Sequence, residues 1–255
     1  MNRRQLLRWT AGAAIATMVG CSDDGSGDAS EGSSGSEDTG DDPTGGGACE
    51  AIPSETAGPF PGDGTNGANA LVLTGIVRSD IRASIAGSTG TAAGVPLTIT
   101  LTVVDATCAP LANHAVYVWH CDRDSEYSMY TGAAKAENYL RGVQETDADG
   151  KVTFTSIFPA CYSGRWPHVH FEVYPSLADA ADAGHRIRVS QLALPEAACD
   201  EVFATTGYED SITSFSKVDL DTDSVFSDGA TLQLGEATGD VDAGYVVTLT
   251  VGISA

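Results

Sequence analysis

From Cys49 onward the chain repeats one pattern: short runs of β-branched and aromatic residues, each closed by Gly, Pro, Asn or Asp. LVLTGIV (71–77), PLTITLTVVD (96–105), HAVYVWHCD (114–122) and KVTFTSIF (151–158) are four of them. HVHFEVY (168–174), RVSQLAL (188–194), ATLQL (230–234) and YVVTLTVGI (245–253) are four more. Runs of this length and composition make strands, and Ala148–Gly150 is a turn signal ahead of one. Helical periodicity is nearly absent; PEAACDEVFATT (195–206) is the best candidate for a short helix. The expectation is an all-β fold, an antiparallel β-sandwich with long loops and little helix, over residues 49–255. That length buries one core, and no internal repeat is visible.

The first 48 residues have a different composition. Residues 1–20 open with a basic start and continue into an apolar, Ala-rich stretch, the pattern of an export signal. The stretch falls short of the ~20 apolar residues of a membrane span. Arg3 and Arg4 ahead of Leu6 and Leu7 resemble a twin-arginine signal; a general secretory signal that carries two arginines is the other reading. Gly20-Cys21 at its end resembles a lipobox, which would make Cys21 a lipid attachment point and the bacterial cell envelope the location. A plain cleaved signal with an incidental cysteine is the alternative. Residues 21–48, rich in Gly, Ser, Asp and Glu, have nothing to bury and are expected to be a disordered linker.

The formal net charge of −22 argues against nucleic acid as a partner, since phosphate binding needs basic patches. If Cys21 is lipidated, five of the six cysteines remain: Cys49, Cys108, Cys121, Cys161 and Cys199. In an oxidising compartment two disulfides and one free thiol are expected, with the pairing unreadable. No C-x-x-C pair suggests a thiolate zinc site.

Chemistry concentrates in CYSGRWPHVHF (161–171). Strand alternation puts His168, His170 and Glu172 on one face, where two imidazoles can converge on one ion. Imidazole suits zinc, copper, iron or nickel. Alone, H-x-H describes many strands with two ordinary histidines. Tyr162 and Arg165 stand just upstream, and Tyr127 lies in the polar loop that follows VYVWHCD.

With ETAGPF (55–60), GIVRSDIR (75–82), PLTITLTVVD, the NYLRG-Q-TDADG block, the Y-x-G-R-x-x-H-x-H stretch and Gln191, the segment from Glu55 to Leu194 resembles the intradiol ring-cleavage dioxygenases. The resemblance is to the exported members of that family, which includes catechol 1,2- and protocatechuate 3,4-dioxygenases. It implies a ferric ion, Fe(III), held by Tyr127, Tyr162, His168 and His170. The implied substrates are a small aromatic diol and O2, and the product is a muconate-type diacid. Tyr162 would also serve as base for a substrate hydroxyl. Arg165 would stabilise negative charge on the ring, and Gln191 would help to orient that region. His120 matches a family histidine that is not a ligand; His114 and His185 are expected to face solvent.

Two departures stand out. Ser125-Glu126 precedes Tyr127 where the family commonly has glycine, and Cys161 adjoins Tyr162. A non-catalytic ligand- or metal-binding sandwich is one alternative. A zinc hydrolase using Glu172 is another, although hydrolytic zinc sites rarely use tyrosine pairs and no helical H-E-x-x-H occurs. Arg78 and Arg82 are the candidate cations for a carboxylate on the substrate. The sequence leaves the oligomeric state open.

Overall fold

The computed structural model of the chain describes residues 49–254. The export signal, Cys21 and the acidic linker lie outside the described residues. Among these, two four-stranded sheets face each other, with two short α-helices. The strands are β1 (Pro96–Asp105), β2 (Ala115–Trp119), β3 (Arg141–Glu145), β4 (Lys151–Ile157), β5 (His168–Tyr174), β6 (Arg188–Ala193), β7 (Glu236–Asp240) and β8 (Gly244–Ile253). One sheet has the order β4-β1-β8-β7 and the other β3-β2-β5-β6. All neighbours pair antiparallel except β1 and β8, which run parallel from Leu97–Tyr245 to Asp105–Ile253.

Alternation decides which face goes inside. Leu97, Ile99, Leu101 and Val103 of β1 meet Val116 and Val118 of β2 and Val169, Phe171 and Val173 of β5 in the core between the sheets. At ~25 cal/mol per Å2 of apolar surface removed from water, this layer is the main stabilising term. The opposite face of the second sheet is buried too. Tyr117, Trp119, Tyr174 and Val143 lie under a cover that includes Leu71, Ile76, Cys121 and Tyr127. Every residue of β5 is therefore buried.

Three details differ from the sequence reading. LVLTGIV forms successive turns, Leu73 N–H to Ala70 and Ile76 N–H to Leu73, and joins the sheet only through a Val77–Val143 bridge. Its apolar residues serve as a lid on the outer face; a short apolar run looks alike in either role. ATLQL is likewise not a strand, with one bridge from Leu234 to Ala193. β3 and β7 take their places, and β7 is exposed at an edge without an apolar signal. The expected helix is α1 (Glu196–Phe203), which buries Ala198, Cys199, Val202 and Phe203. A second, α2 (Glu209–Phe215), was not legible. The third concerns the cysteines. Among the described residues there is one disulfide, Cys49–Cys108, rather than two; Cys121, Cys161 and Cys199 are buried thiols.

One buried cation organises the loops over the outer face. Arg141 is 1 % exposed. Its guanidinium donates to the carbonyls of Phe60, Pro61 and Ser128 and to the hydroxyls of Ser128 and Tyr117, at 2.7–3.0 Å. The 60–62 segment passes so close that a Cβ on Gly62, whose φ is +64°, would stand 2.7 Å from Arg141 Nη1. Arg141→Met strands several of these acceptors and is expected to cost ~3 kcal/mol, read as a lower guanidinium chloride midpoint at unchanged slope. Arg141→Lys should recover less than half, because an ammonium cannot reproduce the fork.

Candidate active site

The outer face of the second sheet carries His168 and His170 on β5, with Trp119 opposite His170 on β2 and Gln191 opposite it on β6. The Trp119 ring lies flat on His170, centroids 4.9 Å apart and planes 5° off parallel, and Tyr117 stacks on Trp119 at 5.0 Å. The imidazole is thus fixed by packing. His168 is fixed by a hydrogen bond: its Nδ1 donates to the Trp166 carbonyl at 2.5 Å, so Nε2 presents a lone pair. This is the orientation that metal-binding histidines take from their outer partners.

Two loops bring in the tyrosines. Tyr127 sits beyond β2 in a segment held by Asp122, whose Oδ1 accepts from the Asp124 and Glu126 N–H groups. Tyr162 lies in the loop leading to β5. The Tyr127 and Tyr162 oxygens are 3.2 Å apart, Tyr162 Oη is 3.3 Å from His168 Nε2, and His168 Nε2 is 3.1 Å from His170 Nε2. All four predicted donors meet in one cluster. Two donors each ~2.1 Å from one ion and at right angles to each other stand about 3.0 Å apart, so these spacings suit coordination. Among the described residues no three His, Cys, Asp or Glu gather to hold an ion. The donor set here is two phenols and two imidazoles. His170 Nδ1 has no hydrogen-bond partner.

Burial sets the protonation states. It pushes His168 down to about 3, and Arg165 adds to the effect. It drives His170 well below the usual imidazole value, helped by His168 and Arg165. Both rings are therefore neutral near pH 7, as metal ligation requires. Burial raises Tyr162 to about 12 and Tyr127 well above its ordinary value, so ionising either phenol calls for a nearby positive charge.

The cluster opens into a cavity of about 550 Å3. Tyr127, Tyr162, Arg165 and His170 line its floor, and Thr56, Gly58, Pro59, Phe60, Ser125, Ser224 and Val225 its walls. Gly58, at φ +70°, leaves the edge of His170 open; a Cβ there would lie 3.4 Å from the ring. Arg165 reaches the cavity already bound: Nε donates to Asp223 Oδ2 at 2.9 Å and Nη2 to Gln191 Oε1 at 2.6 Å. Gln191 passes the constraint on, donating to the Thr56 carbonyl at 2.9 Å, and lies behind Arg165 rather than on the wall.

Other candidates fall elsewhere. Glu172 shares the face of His170 but accepts from Tyr174 at 2.6 Å and pairs with Arg186 at 3.1 Å. Arg78 is held by the carbonyls of Arg141, Ala83 and Asn138, and Arg82 pairs with Asp80; neither lines the cavity. Glu126 turns away to accept from the Ala134 N–H. His120 is buried, bonded to Ser156 and the Cys121 carbonyl; His185 is exposed, and His114 is half-buried against the Ala112 carbonyl.

Sequence reasoning missed Asp223. Its side chain is fully buried, and it also accepts from the N–H groups of Trp166, Val225 and Phe226. Burial opposes its charge, but these N–H groups and Arg165 outweigh that and hold the carboxyl below its usual range. Its setting, DLDTDSVF, reads as a solvated acidic turn.

Residues 78–179 match the dioxygenase family. Over 54 residues the chain is 43% identical to catechol 1,2-dioxygenase 2 of Acinetobacter lwoffii, a match covering 21% of this chain and 19% of that one. The chain thus spans about a fifth of the length of the curated relative it matches. An intradiol ring-cleavage dioxygenase from Tetranychus urticae superposes with a TM-score of 0.62 at 22% identity, covering 81% of this chain and 95% of that one. The dioxygenase domain of a dioxygenase–carbohydrate-binding fusion from Streptomyces sp. SirexAA-E gives 0.51 at 21% identity, covering 81% and 99%. The matched segment is similar to the dioxygenase family, and the described residues share the fold of these intradiol ring-cleavage dioxygenase structures.

Proposed function

We propose that this chain is a non-haem ferric dioxygenase that opens the aromatic ring of a catechol-type substrate between its two hydroxylated carbons. One observation carries the reading: two phenol oxygens and two imidazole nitrogens, neighbours 3.1–3.3 Å apart, form a cluster of which Tyr127, Tyr162 and His170 line a cavity that can hold an aromatic ring. Tyr127, Tyr162, His168 and His170 would hold Fe(III), which when bound supplies the electron exchange between diol and O2 that side chains cannot. Both oxygen atoms end in the diacid product, so no external reductant is consumed.

The protein's share is positioning, proton transfer and electrostatics. Tyr162 Oη, ionised when a ferric ion is held beside it, would take the proton of a substrate hydroxyl, breaking one O–H bond and forming another. Arg165, its plane fixed by Asp223 and Gln191, directs its remaining N–H groups at negative charge that builds on the ring. Pro59, Phe60 and Val225 supply apolar wall for the ring and keep water from it.

The proposal includes the location. A basic-then-apolar start, Cys21 at its end and an acidic Gly/Ser segment support export and a lipid anchor in a bacterial cell envelope. The Cys49–Cys108 disulfide is in keeping with an oxidising compartment.

The decisive test is the visible spectrum of the ferric-loaded protein with and without catechol under anaerobic conditions. A broad tyrosinate-to-iron band that shifts on catechol addition is expected; a colourless protein would overturn the four-donor assignment. Tyr162→Phe should lower kcat by ~10²–10⁴-fold and shift that band, while the fold, read by circular dichroism, is retained. Near pH 7, ferric binding should release about two protons, both from the tyrosines, because burial already keeps the histidines neutral. Calorimetry in buffers of differing ionisation enthalpy reads that number, and release should increase below pH 7 only once the imidazoles begin to protonate, near pH 3 for His168.

A further inference from the structure

Resting on this ring-cleaving reading, we infer that the cavity takes catechols whose substituent is uncharged and discriminates against those bearing a ring carboxylate. Size is the first observation. About 550 Å3 lies in the ~300–1,000 Å3 range of pockets that enclose drug-sized ligands, far more than an unsubstituted diol fills. There is room for a substituent, so its chemistry matters.

Charge is the second observation. Arg165 is the one charged residue on the cavity lining. Asp223, fully buried and 2.9 Å away, already neutralises it, and Gln191 takes a further N–H. The rest of the lining offers the hydroxyls of Thr56, Ser125 and Ser224 and the apolar surfaces of Pro59, Phe60 and Val225. With the diol oxygens at the ferric ion, a ring carboxylate laid against these walls leaves water without finding an unpaired side-chain cation beside it, which is the costly way to bury a charge.

The surroundings push the same way. Glu55, next to Thr56 on the wall, is bonded to Gln233 at 3.3 Å. Burial and then the charges of Asp228 and Asp223 raise its carboxyl, so three carboxyl groups share this region with the one guanidinium. The net charge of −22 adds a repulsive field for any anion approaching from solution.

The segment responsible is late in the chain. Asp223, Ser224 and Val225 lie outside the stretch that matches the family, 78–179, yet Asp223 neutralises Arg165 and Ser224 and Val225 form part of the wall. Asp223 is thus a positioning residue for Arg165, and Ser224 and Val225 set what fits beside it.

The test uses the full chain loaded with ferric iron. Dissociation constants for catechol, 4-tert-butylcatechol and 3,4-dihydroxybenzoate are measured anaerobically by calorimetry. The two uncharged diols should bind within about tenfold of each other, and 3,4-dihydroxybenzoate at least about 100-fold more weakly than catechol. Ser224→Arg and, independently, Thr56→Lys place a cation at an exposed wall position and should narrow that gap at least about tenfold. Equal or tighter binding of 3,4-dihydroxybenzoate, failure of 4-tert-butylcatechol to bind, or a gap that neither variant narrows would overturn the inference. Oxygen uptake in the same samples reports on ring cleavage separately: no uptake with catechol counts against the activity, while the ratio of dissociation constants still decides the charge preference.

Discussion

The buried guanidinium of Arg141 is the constraint on which the site depends. It has no carboxylate partner among its bonds; five neutral acceptor contacts satisfy it. Those acceptors belong to three separate pieces of chain: the 60–61 wall segment, strand β2 through Tyr117, and Ser128 beside Tyr127. A buried cation has to be solvated by something, and here the loops solvate it. Their positions are therefore coupled to β3, which carries it. From Arg141 the order passes through Tyr117 to Trp119 and on to His170 by ring stacking, so the imidazole plane is set from outside the cluster.

The two faces of the second sheet do different work. The inner face spends Val116, Val118, Val169 and Phe171 on the sandwich core and supplies the stability. The outer face holds polar groups that would be costly to bury one at a time. His168 donates its Nδ1–H to a carbonyl, Gln191 bridges Arg165 and Thr56, and Glu172 pairs with Tyr174 and Arg186. Such satisfied groups hold a specific arrangement more than they add stability. A rigid sheet with loops laid over it suits chemistry that needs donors placed to a fraction of an ångström.

Much of the site was legible in the sequence. Period-two alternation puts His168, His170 and Glu172 on one face, and the resemblance to the intradiol dioxygenases singles out Tyr127, Tyr162, Arg165 and Gln191, which the fold brings near one another. The illegible parts share a physical cause: their meaning lies in a distant partner. Asp223 looks like any acidic turn residue until Arg165 is seen beside it. Arg141 sat within a recognisable block, but its acceptors are backbone carbonyls, which no side-chain pattern records. LVLTGIV has the composition of a strand, and only the uncovered outer face of the sheet explains why it folds as a lid. The thiol count misled because pairing depends on side-chain approach; Cys121, Cys161 and Cys199 settled into apolar packing instead.

The Cys49–Cys108 disulfide has a mechanical consequence. It joins the first described residue to the turn after β1, where the Cys49 N–H also donates to the Ala106 carbonyl. Just beyond it, Thr56, Gly58 and Phe60 form the cavity wall. A pull arriving along the chain from the N-terminal side is carried by the sulfur bridge into the end of a ten-residue strand flanked on both sides. The bridge thus shares that load before it reaches the wall segment. The cavity wall is thereby moored at its N-terminal end to the sandwich core.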